Sequence, residues 1–155
     1  MRDRVIRDEI HRDILVPAHH ARIIDTHEFQ RLRNVQQLST CEFVFPSATH
    51  TRFAHSLGAY HLAGALTDSL QEVQPGILSQ EDAELVQLGA LLHDIGHPPY
   101  SHLLETPDVF ATYHSHEHWG RVMLENTSSE IGQVLDEVLG TGRKKRLFSI
   151  LDGAK

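Results

Sequence analysis

His93 and Asp94 stand side by side directly after the apolar pair Leu91-Leu92 and just before Gly96. An ionised carboxylate buried beside an imidazole loses its hydration, a cost that charge pairing, hydrogen bonds or a bound metal ion must offset. The glycine breaks the preceding helix, so the pair is expected to face a pocket from that helix's end. More histidines gather around it, His97, His102, His114, His116 and His118, with His55 upstream. Taken singly, a helical histidine is more often a packed or surface residue than a ligand. The grouping points instead to metal-dependent chemistry.

His55, His93 and Asp94 form the first candidate ligand set. Two imidazole nitrogens and a carboxylate suit zinc, manganese, iron or nickel, with magnesium kept as a further candidate cofactor, and do not resemble an all-oxygen calcium cage. Three protein ligands leave positions open for water or substrate, as a catalytic metal site requires.

The elements that must position these residues read as helices. Ala18 to Asp25 forms a first segment. A second is expected from Thr26, as N-cap, through Phe29, Leu32, Val35 and Leu38 at helical spacing;. Glu42 to Phe45, closed by Pro46, is the one strand-like piece. A long helix is expected from Arg52 to Leu70 with Phe53, Leu57, Tyr60, Ala63 and Leu66 as its apolar stripe. Ser79 is expected to cap a core helix to His93, Ser115 another to Asn126, and Ser129 one to Leu139. Residues 140–146 read as a loose basic connector before a short helical start at Leu147. The class is all-α with at most a minor β-hairpin.

With 155 residues the chain is expected to be one domain over 1–155;. No apolar run reaches the roughly 20 residues of a membrane helix, and Met1-Arg2-Asp3-Arg4-Val5 leads into no secretory h-region. A single cysteine, Cys41, allows no internal disulfide and fits a reducing, cytoplasmic setting;. The formal charge of −7 argues against nucleic acid as the main partner, though arginines in a cleft could still hold a small anion;. Thirteen histidines are the compositional oddity, and most lie in or beside the segments above. Cys41 and Trp119 are expected to serve packing, and His114 and His118 to lie at the surface.

Two long stretches carry a resemblance. Thr49-His50-Thr51-Arg52-Phe53-Ala54-His55-Ser56-Leu57-Gly58 and Leu92-His93-Asp94-Ile95-Gly96-His97-Pro98-Pro99-Tyr100-Ser101-His102 resemble the HD-domain phosphohydrolases, and within them the deoxynucleoside triphosphate triphosphohydrolase branch. Ile24 to Arg33, Gln36-Gln37-Leu38, Arg4 to His11 and His116-Glu117 match the same branch, so the likeness spans roughly residues 4 to 125. It implies an HD-domain helical bundle and attack at the α-phosphorus, releasing a deoxynucleoside and intact triphosphate.

Position by position, the resemblance implies that His55, His93 and Asp94 are metal ligands. It assigns Arg52 to substrate phosphate, Gln37 to the sugar 3′-hydroxyl and His97 to the phosphate side. His102 takes the place of the catalytic histidine, Glu105 that of the acidic residue orienting it, and His116 completes the group. Glu105 departs from the aspartate of the better-known relatives. Arg4, Val5, Asp25, Gln30 and Arg33 match positions that hold a guanine nucleotide (GTP-type) activator between subunits, which implies a homo-oligomer; an ordinary charged surface is the competing reading.

The family's fourth metal ligand is an aspartate in a later segment, and Asp152 stands in surroundings unlike that motif. The chain is therefore expected to be the N-terminal half of such a catalytic domain, truncated before that final ligand segment. Rival readings are another nucleotide phosphatase or phosphodiesterase of the HD superfamily, or an inactive nucleotide-binding domain that depends on a partner.

Overall fold

The computed structural model describes residues 2–106, 112 and 114–153. The chain opens with an antiparallel hairpin, β1 (Arg4–Asp8) and β2 (Arg12–Val16), registered with Val5 opposite Leu15 and Ile6 opposite Ile14. Strand alternation sends Ile14 and Val16 into the core and leaves Val5 and Leu15 outward;. Arg12 turns the hairpin at a left-handed φ of 62°. Helices α1 (Ala18–Ile24) and α2 (His27–Gln30) follow, and a 3-10 turn at Arg31–Asn34 continues the second.

The body of the fold is α3 (Arg52–Val73) packed along α4 (Gln80–Leu92), with α5 (His116–Glu125) and α6 (Glu130–Leu151) closing over α4. Leu85, Leu88, Leu91 and Leu92 place α4 in the centre, each at most 1% exposed. Burying a leucine so completely stabilises the fold by roughly 1.5–3 kcal/mol per side chain. Four caps start the helices: Thr51, Ser79, Ser115 and Ser129 each accept a hydrogen bond from a backbone N–H three residues on;. The fold is therefore all-α with one minor hairpin, as expected. No helix among the described residues is long and apolar enough to cross a membrane.

Several local expectations need correction. The helix expected from Thr26 to Leu38 stops at Gln30 and tightens into the 3-10 turn. The Thr26 hydroxyl donates to the Ile23 carbonyl instead of capping α2. Glu42 to Phe45 is no strand: Cys41–Phe43 is a 3-10 turn, and Phe43, Val44 and Phe45 are exposed. β propensity had no partner strand there to pair with. On α3 the buried stripe ends on Thr67, while Leu66 points outward. Residues 141–146 are helical within α6, after a kink at Gly140 (φ 66°, ψ 175°). Its basic residues pair with acids rather than standing free: Lys144 with Asp136, Arg143 with Glu84 and Arg146 with Asp82. Cys41 and Trp119, expected as packing residues, are exposed.

Two glycines set the distance between α5 and the turn after α4. A Cβ on Gly96 would lie 2.0 Å from the His116 carbonyl oxygen and 2.2 Å from the Gly120 nitrogen, both backbone atoms. On Gly120 its nearest neighbour would be the Ile95 side chain at 3.3 Å, with the Gly96 backbone nitrogen at an ordinary 3.5 Å. The close approach seats the start of α5, and with it His116, against the His93-Asp94 turn. We expect Gly96→Ala to destabilise the protein by about 2 kcal/mol or more, because backbone must move to admit it. Gly120→Ala should cost clearly less, and comparing the two denaturant midpoints checks the ranking.

Candidate active site

His93 is the residue that ends α4, so its side chain leaves the leucine core at the point where the helix stops. Its Nδ1 lies 2.8 Å from the Ala90 carbonyl oxygen, an atom that can only accept, so Nδ1 carries the proton;. With the proton there, Nε2 can turn its lone pair toward Asp94 Oδ1, 3.2 Å away. Two acceptors at that distance are satisfied by a cation between them. His55, one turn into α3, brings its Nε2 to 3.2 Å from His93 Nε2 and 3.6 Å from Asp94 Oδ2. The three donor atoms lie within 4.8 Å of one another, which is the spacing a divalent metal ion needs;. The Ala90 contact is also the kind of outer bond that fixes the tautomer of a ligating histidine.

Asp94 is 5% exposed, and Arg52 beside it is 3% exposed. Burial pushes the Asp94 carboxyl up. The hydrogen bond from His97 and the charges of His93 and Arg52 outweigh it and hold the group well below the usual carboxylate range. Arg52 donates from Nη1 to Asp94, and from Nη2 and Nε to Ser101 Oγ at 2.7 and 3.2 Å. The arginine expected to meet phosphate thus sits in a buried ion pair. A phosphate oxygen would reach it by replacing the Ser101 contact.

Sequence neighbours build this corner. The segment around Gln36 bridges to Thr51, Arg52 N–H donates to the Val35 carbonyl at 2.8 Å, and Gln37 N–H to the His50 carbonyl at 3.0 Å. Gln37 is thereby fixed beside the start of α3, and its Oε1 is buried without a protein partner.

A second group adjoins the first. Glu105 Oε2 lies 2.9 Å from His102 Nδ1, and Oε1 accepts from the His116 backbone N–H at 2.8 Å and faces its Nδ1 at 3.1 Å. One carboxylate therefore orients two imidazoles, and the longer glutamate reaches both. Burial pushes Glu105 up, but the hydrogen bonds and charge of His102 and His116 hold it below its usual range. His102 remains largely exposed, so its Nε2 is free to meet a ligand. His97 joins the two groups: it stacks on His116 with ring centroids 3.7 Å apart, and its Nε2 lies 3.5 Å from Asp94 Oδ1. Its Nδ1 is buried without a protein partner.

Backbone strain accompanies His102. Tyr100 and Ser101 both adopt left-handed φ, 67° and 50°, at a cost of order 1–3 kcal/mol each for side-chain-bearing residues;. That turn drives the Ser101 hydroxyl onto Arg52 and points His102 at Glu105. Reading the residues alone passed over Ser101's contact and also Arg31, whose guanidinium donates to the Ile95 and His97 carbonyls and ties the 3-10 turn to the loop after α4. Nothing in the periodicity around Arg31 marked it as different from its solvated neighbours.

The remaining candidates lie elsewhere. Arg4 donates to both Asp25 oxygens at 2.6 and 2.5 Å, Arg33 donates to Gln30, and Gln30 donates to the Ile24 carbonyl beside Asp25. Val5 is exposed on the same strand as Arg4. His114 and His118 stack on each other, outside both histidine groups. Asp152 accepts from Arg121 at 2.9 Å and lines, with His93 and His116, a cavity of about 220 Å³.

Residues 52–148 match the HD domain family, and the chain belongs to it. It is 40% identical, over 97% of its length, to an uncharacterized protein of Methanocaldococcus jannaschii, of which the match covers 30%. Over 66% of its length it is 48% identical to the human deoxynucleoside triphosphate triphosphohydrolase SAMHD1 and 42% identical to the SAMHD1 homolog of Dictyostelium discoideum, covering 16% and 20% of those proteins. The chain thus spans less than a third of the length of these relatives. It is an HD-domain protein whose histidine and acidic clusters fit a divalent metal ion.

The Arg52–Asp94 pair generates a direct test. We expect Arg52→Ala to cost about 3–5 kcal/mol, since it strands a buried carboxylate. Adding Asp94→Asn should recover a large part of that loss. A double-mutant cycle in denaturant measures both.

Proposed function

We propose that the protein hydrolyses deoxynucleoside triphosphates to deoxynucleoside and triphosphate at the centre formed by His55, His93 and Asp94. The observation that carries this reading is the link through His97, which joins a three-donor metal set to a carboxylate-oriented histidine pair. The names of the SAMHD1 relatives supply the substrate class. A divalent ion bound by His55, His93 and Asp94 would polarise a phosphoryl oxygen and activate water.

The chain's own residues divide the rest of the work. Glu105 stays ionised and holds Nδ1 of His102, leaving Nε2 to deliver a proton to the departing 5′-oxygen as the bond from the α-phosphorus breaks. Arg52 supplies fixed positive charge beside Asp94 and a planar fork suited to phosphate oxygens. The unpartnered Oε1 of Gln37 suits a sugar hydroxyl, and the unpartnered Nδ1 of His97 the phosphate side. Residues 1–155 act as one domain in this scheme.

The test is product analysis with manganese or magnesium and each deoxynucleoside triphosphate. Deoxynucleoside and intact triphosphate are expected, and both should vanish in His93→Ala and Asp94→Ala. His102→Gln should lower kcat by about 10²–10⁴-fold with little effect on KM. Monophosphate or diphosphate products would reject the cleavage point, and metal binding without turnover would favour a partner-dependent domain.

Arg4, Val5, Asp25, Gln30 and Arg33 are proposed to receive a GTP-type activator between subunits of a homo-oligomer. Their linked side chains on and beside the hairpin support this: Asp25 offers a carboxylate to a guanine edge, and Arg4 and Arg33 offer charge to phosphates. Added GTP should raise activity or shift subunit assembly in sedimentation. If it does neither, the assignment fails.

A further inference from the structure

A third cluster, absent from the scheme above, lies toward the other end of α4. Glu84 precedes His93 by nine residues, about 13 Å along the helix at 1.5 Å per residue. There the adjacent histidines His19 and His20 of α1 both turn toward one carboxylate oxygen. His19 Nε2 is 2.8 Å from Glu84 Oε1, and His20 Nε2 is 3.1 Å from the same atom. We propose that His19, His20 and Glu84 form a second divalent-metal site, of the zinc class.

The donor geometry is close to what such an ion requires. Bonds of about 2.0–2.1 Å in a tetrahedron put neighbouring donors roughly 3.3 Å apart, so a small outward adjustment admits the ion. The donor atoms all lie within 4.8 Å of one another.

The surroundings are built in the same way as a supported metal site. His20 is 1% exposed, and its Nδ1 lies 2.8 Å from the Tyr60 hydroxyl. With Nε2 on a metal, Nδ1–H would donate to that oxygen, the outer-shell bond that aims a ligating imidazole.

Glu84 divides its two oxygens. Oε2 takes the guanidinium of Arg143 from α6, leaving Oε1 to the histidines. His19 is half-exposed, so an ion can enter, and the cluster lines a cavity of about 590 Å³ shared with Asp68, Gln71 and Gln87. Three protein donors leave the fourth position facing that cavity. Transition-metal ions rather than magnesium fit a set with two imidazoles. The site would tie α1 to α4 and, through Arg143, to α6.

Equilibrium dialysis of the whole chain against zinc, followed by metal analysis, decides the matter. His19→Ala is the first variant, because a half-exposed side chain can be removed without disturbing the core. Wild type should hold one more equivalent of zinc than His19→Ala, and Glu84→Gln should show the same loss. His118→Ala, which alters an exposed histidine outside every cluster, should keep full uptake. The other histidine groups are present in all these proteins, so the difference isolates this site, whatever the products at His93. Tyr60→Phe should weaken zinc binding here by about 10–100-fold without changing the number of equivalents. Equal uptake by wild type and His19→Ala overturns the proposal.

Discussion

Asp94 is a carboxylate held in the interior at the end of the central helix, and the architecture around it follows from the cost of keeping it there. An isolated buried carboxylate would take up a proton rather than remain ionised. Arg52 supplies the compensating charge from the first turn of α3, His97 supplies a hydrogen bond from one side with His93 standing on the other, and His55 faces it one turn along. Each depends on a device elsewhere in the chain. The Thr51 cap and the bridge between Gln36 and Thr51 fix where α3 begins, and so where Arg52 points. The glycine contact between Gly96 and Gly120 fixes how near α5 comes.

Three carboxylates in this small fold serve different ends because their partners differ. Asp94 meets a guanidinium and imidazoles in the interior, which suits charge held for a metal or phosphate. Glu105 meets imidazoles and a backbone N–H nearer the surface, which suits orienting a proton carrier. Glu84 splits its oxygens between Arg143 and a pair of histidines. A carboxylate with two oxygens can hold one partner in place while leaving the second oxygen for another.

Much of this was legible in the residues. The leucine periodicity before His93 located the central helix. Ser79, Ser115 and Ser129 located helix starts because a side-chain oxygen three residues before a free N–H is a local device that needs no tertiary context. The convergence of His55 with His93-Asp94 was also accessible, since a pair at a helix end must be compensated by something. Most of the failures were non-local. Glu42 to Phe45 has strand composition but no partner strand. The hairpin at Arg4–Val16 is held by its own register and by Ile14 and Val16 reaching the core, neither visible as a turn signal of Asn-Gly type. Arg143 and Arg146 read as solvated because their acidic partners lie on α4, a distant stretch of chain. Glu84 is separated by more than sixty residues from the histidines it meets. Ser101's role required knowing that two consecutive residues adopt left-handed φ.

That strain and the buried ion pair bear on each other. Tyr100 and Ser101 hold unfavourable backbone with Ser101 Oγ fixed between Arg52 and the Gln36 carbonyl and the Tyr100 carbonyl accepting from Ser39. The same hydroxyl keeps the arginine fork turned toward Asp94. A ligand oxygen that took the Ser101 position on Arg52 would remove the main restraint on the turn. His102 follows directly in sequence and is oriented by Glu105 rather than by Arg52. Occupation of the proposed phosphate position would therefore bear on the placement of His102 through two consecutive residues. An alanine at Ser101 would take that partner from two Arg52 donors, Nε and Nη2, and loosen the turn that carries His102, although the serine itself performs no chemistry.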